Sequence, residues 1–249
     1  MNDLLILAAG FGAGFVNAVA GGGTLLTFPA LLYYGLSPIT ANATSTVAIW
    51  PGSLTSSWAY RQQIRTHRTR VGWFLLPSLV GGLLGAILLL RSGEQLFRAI
   101  VPYLILLACG LLMVNEPVGR WMAKRAESHP RRHAAALWLS QFAIAIYGGY
   151  FGAGIGILML AAMAIFLPED LQAANGIKNF LAVIINGIAA LYFMFIGAAV
   201  LKVAFIVMGA AIVGGFVGAR AAQRLPARWL RLAVVAYGLA VAGHLIFKR

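Results

Sequence analysis

Acidic residues are scarce in this chain: six Asp and Glu stand against 19 Lys and Arg, for a formal net charge of +13. Charge of either sign is scarce too, at 10% of 249 residues; soluble domains carry about 25%. A single cysteine, Cys109, excludes a disulfide scaffold. His67 and His133 sit in basic loops and His244 near the C-terminal helix end, so no metal and no other cofactor is expected. There is no GxSxG nucleophile motif and no glycine-rich loop ending in GK[ST], which argues against a hydrolase or nucleotide site. What is present is apolar: 61% of residues, with a mean hydropathy of +0.87. No water-soluble fold hides that much apolar surface. The apolar residues come in unbroken runs and do not alternate, which excludes a membrane barrel. The expected class is an all-α polytopic membrane protein, with no sizeable soluble domain.

The acids are Asp3, Glu94, Glu116, Glu127, Glu169 and Asp170. Each lies at a terminus or between apolar runs. Cation and proton carriers keep an intramembrane carboxylate as ion site or relay, and an intramembrane aspartyl protease needs two. Neither is available. The basic residues gather in three groups: Arg61, Arg65, Arg68 and Arg70; then Arg120, Lys124, Arg125, Arg131 and Arg132; then Arg220, Arg224, Arg228 and Arg231. All three lie between apolar runs, where positive charge holds a loop in the cytoplasm and meets anionic lipid. The charge therefore argues for a bilayer as partner and against nucleic acid. One ionisable group falls clearly inside a span-like run, and it is basic: Lys178. A transported species paired with it would be an anion.

Met1-Asn2-Asp3 leads directly into an apolar run without a basic n-region, so a first membrane helix is expected there and not a signal peptide. The apolar segments are approximately 4–34, 41–60, 71–90, 97–115, 135–167, 174–194, 200–222 and 229–247. Six of the eight fit a span of roughly 20 residues. Segments 4–34 and 135–167 are longer and glycine-rich. The first contains Gly21-Gly22-Gly23 and then Pro29; the second contains Gly152, Gly154 and Gly156 and ends at Pro168. Glycine costs about 1 kcal/mol per residue in a helix interior, so each long segment is expected to be a helix, a break and a second, shorter helix.

Shifting the sequence by 133 residues matches it to itself. Leu79-Val80-Gly81-Gly82-Leu83-Leu84-Gly85-Ala86 falls on Ile212-Val213-Gly214-Gly215-Phe216-Val217-Gly218-Ala219. Ala41-Asn42 falls on Ala174-Asn175, Gly21 and Gly23 on Gly154 and Gly156, and Arg91 and Arg98 on Arg224 and Arg231. The chain reads as one transmembrane domain, 1–249, built of repeat 1 (1–114), a basic cytoplasmic linker (115–134) and repeat 2 (135–249). Paired halves with Gly-interrupted segments at matching positions mark many secondary transporters. If each broken segment crosses once, the halves are parallel, with 12 Lys and Arg inside and six outside, Lys178 aside. If it enters and returns, they are inverted, with 13 inside and five outside. The charges barely separate these. Inverted halves are favoured because two broken segments entering from opposite faces can meet at the midplane.

Two features could carry chemistry. Unwound glycine backbone inside a membrane is tolerated only where it is buried in protein or lines a wet cavity. A helix restarting there points free N–H groups and its positive dipole end into that cavity, which favours anions. The bland alternative is close helix packing, the preferred reading for Gly81, Gly82, Gly85, Gly214, Gly215 and Gly218. The second feature is a polar stripe after each break. Asn175, Lys178, Asn179 and Asn186 return to one helix face, and the same offsets from Asn42 give Ser45, Thr46 and Ser53. Such side chains can replace an oxyanion's hydration shell; the alternatives are interhelical polar glue for a lone Ser or Thr and snorkelling for Lys178. Asn17 and Tyr150 flank the two breaks and are weaker candidates. The six tryptophans fall mostly near segment ends, as interfacial anchors do.

At these residues the chain resembles the TauE/SafE family of sulfite-exporter-like membrane proteins. The likeness rests on Gly21-Gly22-Gly23-Thr24-Leu25-Leu26-Thr27-Phe28-Pro29-Ala30-Leu31-Leu32, on Ala41-Asn42-Ala43-Thr44-Ser45, and on the echo Ala174-Asn175-Gly176-Ile177-Lys178-Asn179. The second half departs from the pattern, with Ala153 and Ile155 among its glycines and Ala162 opposite Pro29. The resemblance implies transport of sulfite, sulfoacetate or related sulfur-containing anions across a bacterial inner membrane. The expectation is a secondary transporter, an exporter of a small sulfur oxyanion or organosulfonate, multi-pass in the cell inner membrane and not an enzyme. Its substrate would meet Asn42, Thr44, Ser45, Asn175, Lys178 and Asn179, with backbone donors at Gly21, Gly22, Gly23, Gly152, Gly154 and Gly156. Association into a homo-oligomer is compatible with this reading. The alternatives are a membrane-embedded enzyme on a lipid-linked substrate, which lacks a nucleophile–base pair here, and a scaffold that transports nothing.

Overall fold

The computed structural model describes residues 2–19, 22–125, 134–166, 171–221 and 227–247. Gly21, Glu127, Arg131, Arg132, Glu169, Asp170, Arg224 and most of the linker's C-terminal half lie outside the described residues. Every regular element among those described is a helix: α1 (Asn2–Val19), α2 (Thr24–Tyr34), α3 (Pro38–Ala59), α4 (Arg61–Thr66), α5 (Arg68–Arg125), α6 (Ala134–Tyr150), α7 (Ile155–Phe166), α8 (Leu171–Ile196), α9 (Leu201–Ala221) and α10 (Ala227–Phe247). Four carry stretches long and apolar enough to cross a membrane: Arg68–Val114, Ala173–Ile196, Leu201–Gly218 and Trp229–Phe247. α3 is not among them, because Asn42, Thr44, Ser45 and Thr46 dilute its apolar run. α5 is two arms joined at Gly93, whose φ of 74° and ψ of 156° interrupt the helix between the expected segments 71–90 and 97–115.

Both long glycine-rich segments break as expected. α1 has 18 residues and α2 has 11; α6 has 17 and α7 has 12. Gly22, Gly152 and Gly154 at the breaks have φ of 93°, 81° and 80°, the left-handed region that glycine enters without steric cost. Each break is also a reversal. Gly23 lies against Ala13, Gly12 faces Leu26, and the Tyr34 hydroxyl donates to Asp3 at 3.3 Å, so α2 runs back along α1 to where α1 began. In the second pair, Gly148 faces Ile155 and Gln141 Nε2 lies 3.6 Å from Met159 Sδ, so α7 runs back along α6.

Packing gives the remaining directions. α1 and α9 run parallel, Gly10 on Val207 and Phe15 on Gly218. The first arm of α5 and α6 also run parallel, Gly81 on Phe142 and Gly85 on Ile146. α3 and α8 are antiparallel: Thr44 meets Val200, Trp50 donates to the Val183 carbonyl at 3.1 Å, and Gln63 meets Gly176. The second arm of α5 and α10 are antiparallel, with Ile105 at Gly238 and Cys109 Sγ 3.8 Å from the Val235 carbonyl. One end of the bundle therefore gathers Asp3, Tyr34, Ser37, Glu94, Val200 and His244. The other gathers Ile64, Val71, Val118, Leu137 and Phe180 around a small apolar core. A larger core, with Phe28, Phe97, Phe151 and Phe193 at its centre, fills the rest.

The packing glycines sit on two seams. An added Cβ on Gly14 or Gly214 would overlap the carbonyl of Ala211 or Phe11 between α1 and α9. One on Gly85 or Gly149 would overlap that of Ile146 or Gly82 between α6 and α5. Small residues there let backbones touch. Gly215 is the exception, with only a 3.7 Å contact to Gly14 O.

Candidate functional site

The second break is where polar groups converge. α6 ends as the N–H groups of Phe151 and Gly152 both donate to the Tyr147 carbonyl, at 2.9 and 3.2 Å. The Tyr147 hydroxyl donates to the Ala153 carbonyl at 2.6 Å and fixes the turn from the other side. α7 then restarts with Ile157 N donating to Gly154 O at 3.0 Å. Among the described residues the N–H groups of Ala153, Gly154, Ile155 and Gly156 have no acceptor. They are the orphan donors of a helix start, at its positive dipole end.

Three side chains from two other helices meet this turn. Asn42 on α3 is fully buried and donates from Nδ2 to the Tyr150 carbonyl at 3.0 Å. Its Oδ1 is buried without a hydrogen-bond partner. Asn186 on α8 places Oδ1 3.4 Å from where a Cβ on Gly152 would be. Lys178, two turns into α8, lies against Gly156: its Nζ is 4.0 Å from the position of an added Cβ there. Lys178 is half-buried and makes no ion pair with any described carboxylate. Glycine at 156 is what leaves this space beside the ammonium.

The other expected site residues fall differently. Thr44 Oγ1 accepts the Val200 N–H at 3.0 Å, so its hydroxyl fastens the start of α9 to α3. Ser45 Oγ and Thr27 Oγ1 are 2.6 Å apart and fully buried between α3 and α2. Thr46 donates back to the Asn42 carbonyl at 2.9 Å on its own helix. Asn175 is half-buried and not a free side chain. Asn179 is half-buried, and its side chain makes no hydrogen bond among the described residues. At the first break, Gly22 packs against Leu112 and Gly23 against the Ala13 backbone, while Gly154 of the second break packs against neighbouring Leu111. The two breaks thus reach the same level of α5. Tyr150 contributes its carbonyl to Asn42 and its hydroxyl, at 3.3 Å, to Ser92. Trp50 departs from the interfacial pattern: it is central in α3, its ring lying on Gly187.

Asn186 is the residue that sequence reasoning underweights: it closes the polar stripe yet is not one of the six leading side chains. Thr27 is missed altogether, although it sits in the glycine-Thr-Leu-Leu-Thr run that carries the resemblance.

These features define a class: a helical membrane protein whose helices break and return inside the bundle, with a cationic, donor-rich turn at one break. The TauE family, described as Sulfite exporter TauE/SafE, matches residues 6–245, and the chain belongs to it. A "Probable membrane transporter protein" of Haemophilus influenzae is 28% identical over 250 residues, covering 99% of this chain and 96% of that protein. "Probable membrane transporter protein ORF9" of a Sinorhizobium species is 27% identical over 97% of this chain and 91% of its own length. "Probable membrane transporter protein YfcA" of Escherichia coli is 28% identical over 86% of this chain and 76% of its own length. No solved structure matches significantly. Family and relatives alike are named for membrane transport, and none of these names is that of an enzyme.

Proposed function

We propose that this protein is a secondary transporter that exports a small anion, a sulfur oxyanion or organosulfonate such as sulfite. The observation that carries the proposal is Lys178, an ammonium on an apolar helix, unpaired with any described carboxylate and set against the orphan N–H groups of α7. A charged side chain within a membrane span is expensive and by default functional. A cation beside four unoccupied N–H donors selects for negative charge and for several acceptor oxygens. Asn42 would brace the turn through its bond to the Tyr150 carbonyl, while Thr44 and Ser45 would hold the helices that present it. Asn175 and Asn179 would line the approach along α8. The family description supports the sulfur chemistry of the cargo.

The reading includes inverted halves. Each broken pair returns to its starting end, and three further passes then carry each half across. This agrees with the α1–α9 and α6–α5 seams, which exchange partners between the halves. The end with Arg61, Arg65, Arg68 and Arg70 is then cytoplasmic, with 13 Lys and Arg against five at the other end, in a multi-pass inner-membrane protein. An interior-negative potential drives an anion outward at about 2.3 kcal/mol per charge per 100 mV, so export needs no proton relay, and the sequence places no carboxylate inside an apolar run.

Efflux of sulfite or a short sulfonate from loaded proteoliposomes tests the proposal. Lys178→Ala is expected to abolish flux while the purified protein stays monodisperse, and Lys178→Arg to retain part of it. Normal flux in Lys178→Ala would remove Lys178 from the site; no anion flux in the unmodified protein would remove the transport reading.

A further inference from the structure

At the arginine-rich end an open groove of about 550 Å³ is lined by Ile64, Arg65, Arg68, Val71, Gly72, Leu75 and Phe180. Its residues are sorted by depth. Arg65 and Arg68 are exposed, and neither has an ion-pair partner among the described residues. Arg68, Val71, Gly72 and Leu75 share one face of α5 by their spacing, so an apolar stripe runs about 10 Å from the arginine toward the helix interior. Phe180 on α8 and Ile64 on α4 form the opposite apolar wall. A Cβ on Gly72 would meet nothing within 4 Å, so the floor of the groove is open space.

The depth of the groove relative to the bilayer is marked independently. Trp58 and Trp73 are 68% and 46% exposed, and the Arg61 guanidinium lies 4.2 Å over the Trp58 ring. Exposed tryptophans of this kind sit at the level of lipid headgroups. The two unpaired arginines are therefore at phosphate height, and the apolar stripe points into the acyl region.

We propose that this groove binds one anionic diacyl phospholipid, its phosphate on Arg65 and Arg68 and an acyl chain along Val71, Gly72, Leu75 and Phe180. Charge complementarity selects an acidic headgroup in the leaflet at that end. The apolar wall has no use for a free phosphate. The inference rests on the membrane reading and is independent of what the protein transports.

The test uses the full chain purified in mild detergent. Bound lipid is counted by native mass spectrometry, and thermal unfolding is followed with added phosphatidylglycerol, phosphatidylcholine of the same acyl chains, or glycerol 3-phosphate. Phosphatidylglycerol is expected to bind in preference to phosphatidylcholine and to raise the unfolding temperature, while glycerol 3-phosphate does neither. Removing both charges in R65Q/R68Q is expected to weaken phosphatidylglycerol binding roughly 25-fold. Gly72→Leu, which keeps the charges and fills the groove, is expected to lose the same preference without losing stability in detergent alone. Unchanged preference in Gly72→Leu, or glycerol 3-phosphate matching the lipid, overturns the site. Gly72→Leu decides alone if R65Q/R68Q does not yield monodisperse protein.

Discussion

Asn42 shows how one residue can be structural and unfinished at once. Its Nδ2 is committed to the Tyr150 carbonyl, where α6 gives way to the break, and its Oδ1 is buried without a hydrogen-bond partner. A buried acceptor left unmatched costs about 1–3 kcal/mol. Asn42→Ala loses the bond to Tyr150 but also removes the unmatched Oδ1, so it should lower stability by only about 1 kcal/mol. Asn42→Asp, nearly the same shape, sets an acceptor against the Tyr150 carbonyl and buries a charge, at about 3 kcal/mol or more. Thermal unfolding in detergent should therefore rank native, then Ala, then Asp. If Asp proves as stable as Asn, the bond to Tyr150 is not what fixes this side chain. Thr44 and Ser45 differ: both hydroxyls are already satisfied by protein, and such bonds are worth about 0.6 kcal/mol each in a membrane.

At the scale of the element, glycine does two jobs that composition alone does not separate. Gly152 and Gly154 turn the chain, and their φ values near 80° would strain an alanine by roughly 1–2 kcal/mol each. Gly14 and Gly214 let α1 and α9 touch, backbone on backbone. Gly209 is on α9 as well, yet its added Cβ would meet nothing within 4 Å. Gly14→Ala and Gly214→Ala should each lower the unfolding temperature by prying α1 from α9. Gly209→Ala should leave it unchanged or raise it, since alanine gains about 1 kcal/mol in helix propensity. Equal behaviour of the three variants would mean that the α1–α9 seam is looser than these contacts require.

At the scale of the molecule, the proposed inverted arrangement predicts which connections share a side. Cys109 is buried, so a Cys109→Ala background carrying single cysteines can report on each. Gln95→Cys and Val200→Cys should react with a membrane-impermeant maleimide added to intact cells, and Thr69→Cys should react only after lysis. In a parallel arrangement Val200→Cys would side with Thr69→Cys. That outcome would discard the inverted halves and, with them, the idea that the two breaks approach from opposite faces.

The membrane class, the helical segments and the two breaks were legible in the sequence, because each depends on neighbours in the chain. Unbroken apolar runs force backbone polar groups to pair within a helix. Clustered glycines weaken a helix wherever they occur, so α1 and α2, and α6 and α7, divide at the glycines. The 133-residue self-match was legible for the same reason, as was the isolation of Lys178 among apolar residues. Tertiary structure alone decided what each polar side chain does. Thr44 finds its partner 156 residues away and Asn42 finds its own 108 residues away. Asn186 reaches Gly152 only because α8 packs beside the second break. Helical periodicity assigns such residues to a face but not to a neighbour; which face meets which is set by the packing of distant helices, where glycine seams fix how closely backbones approach.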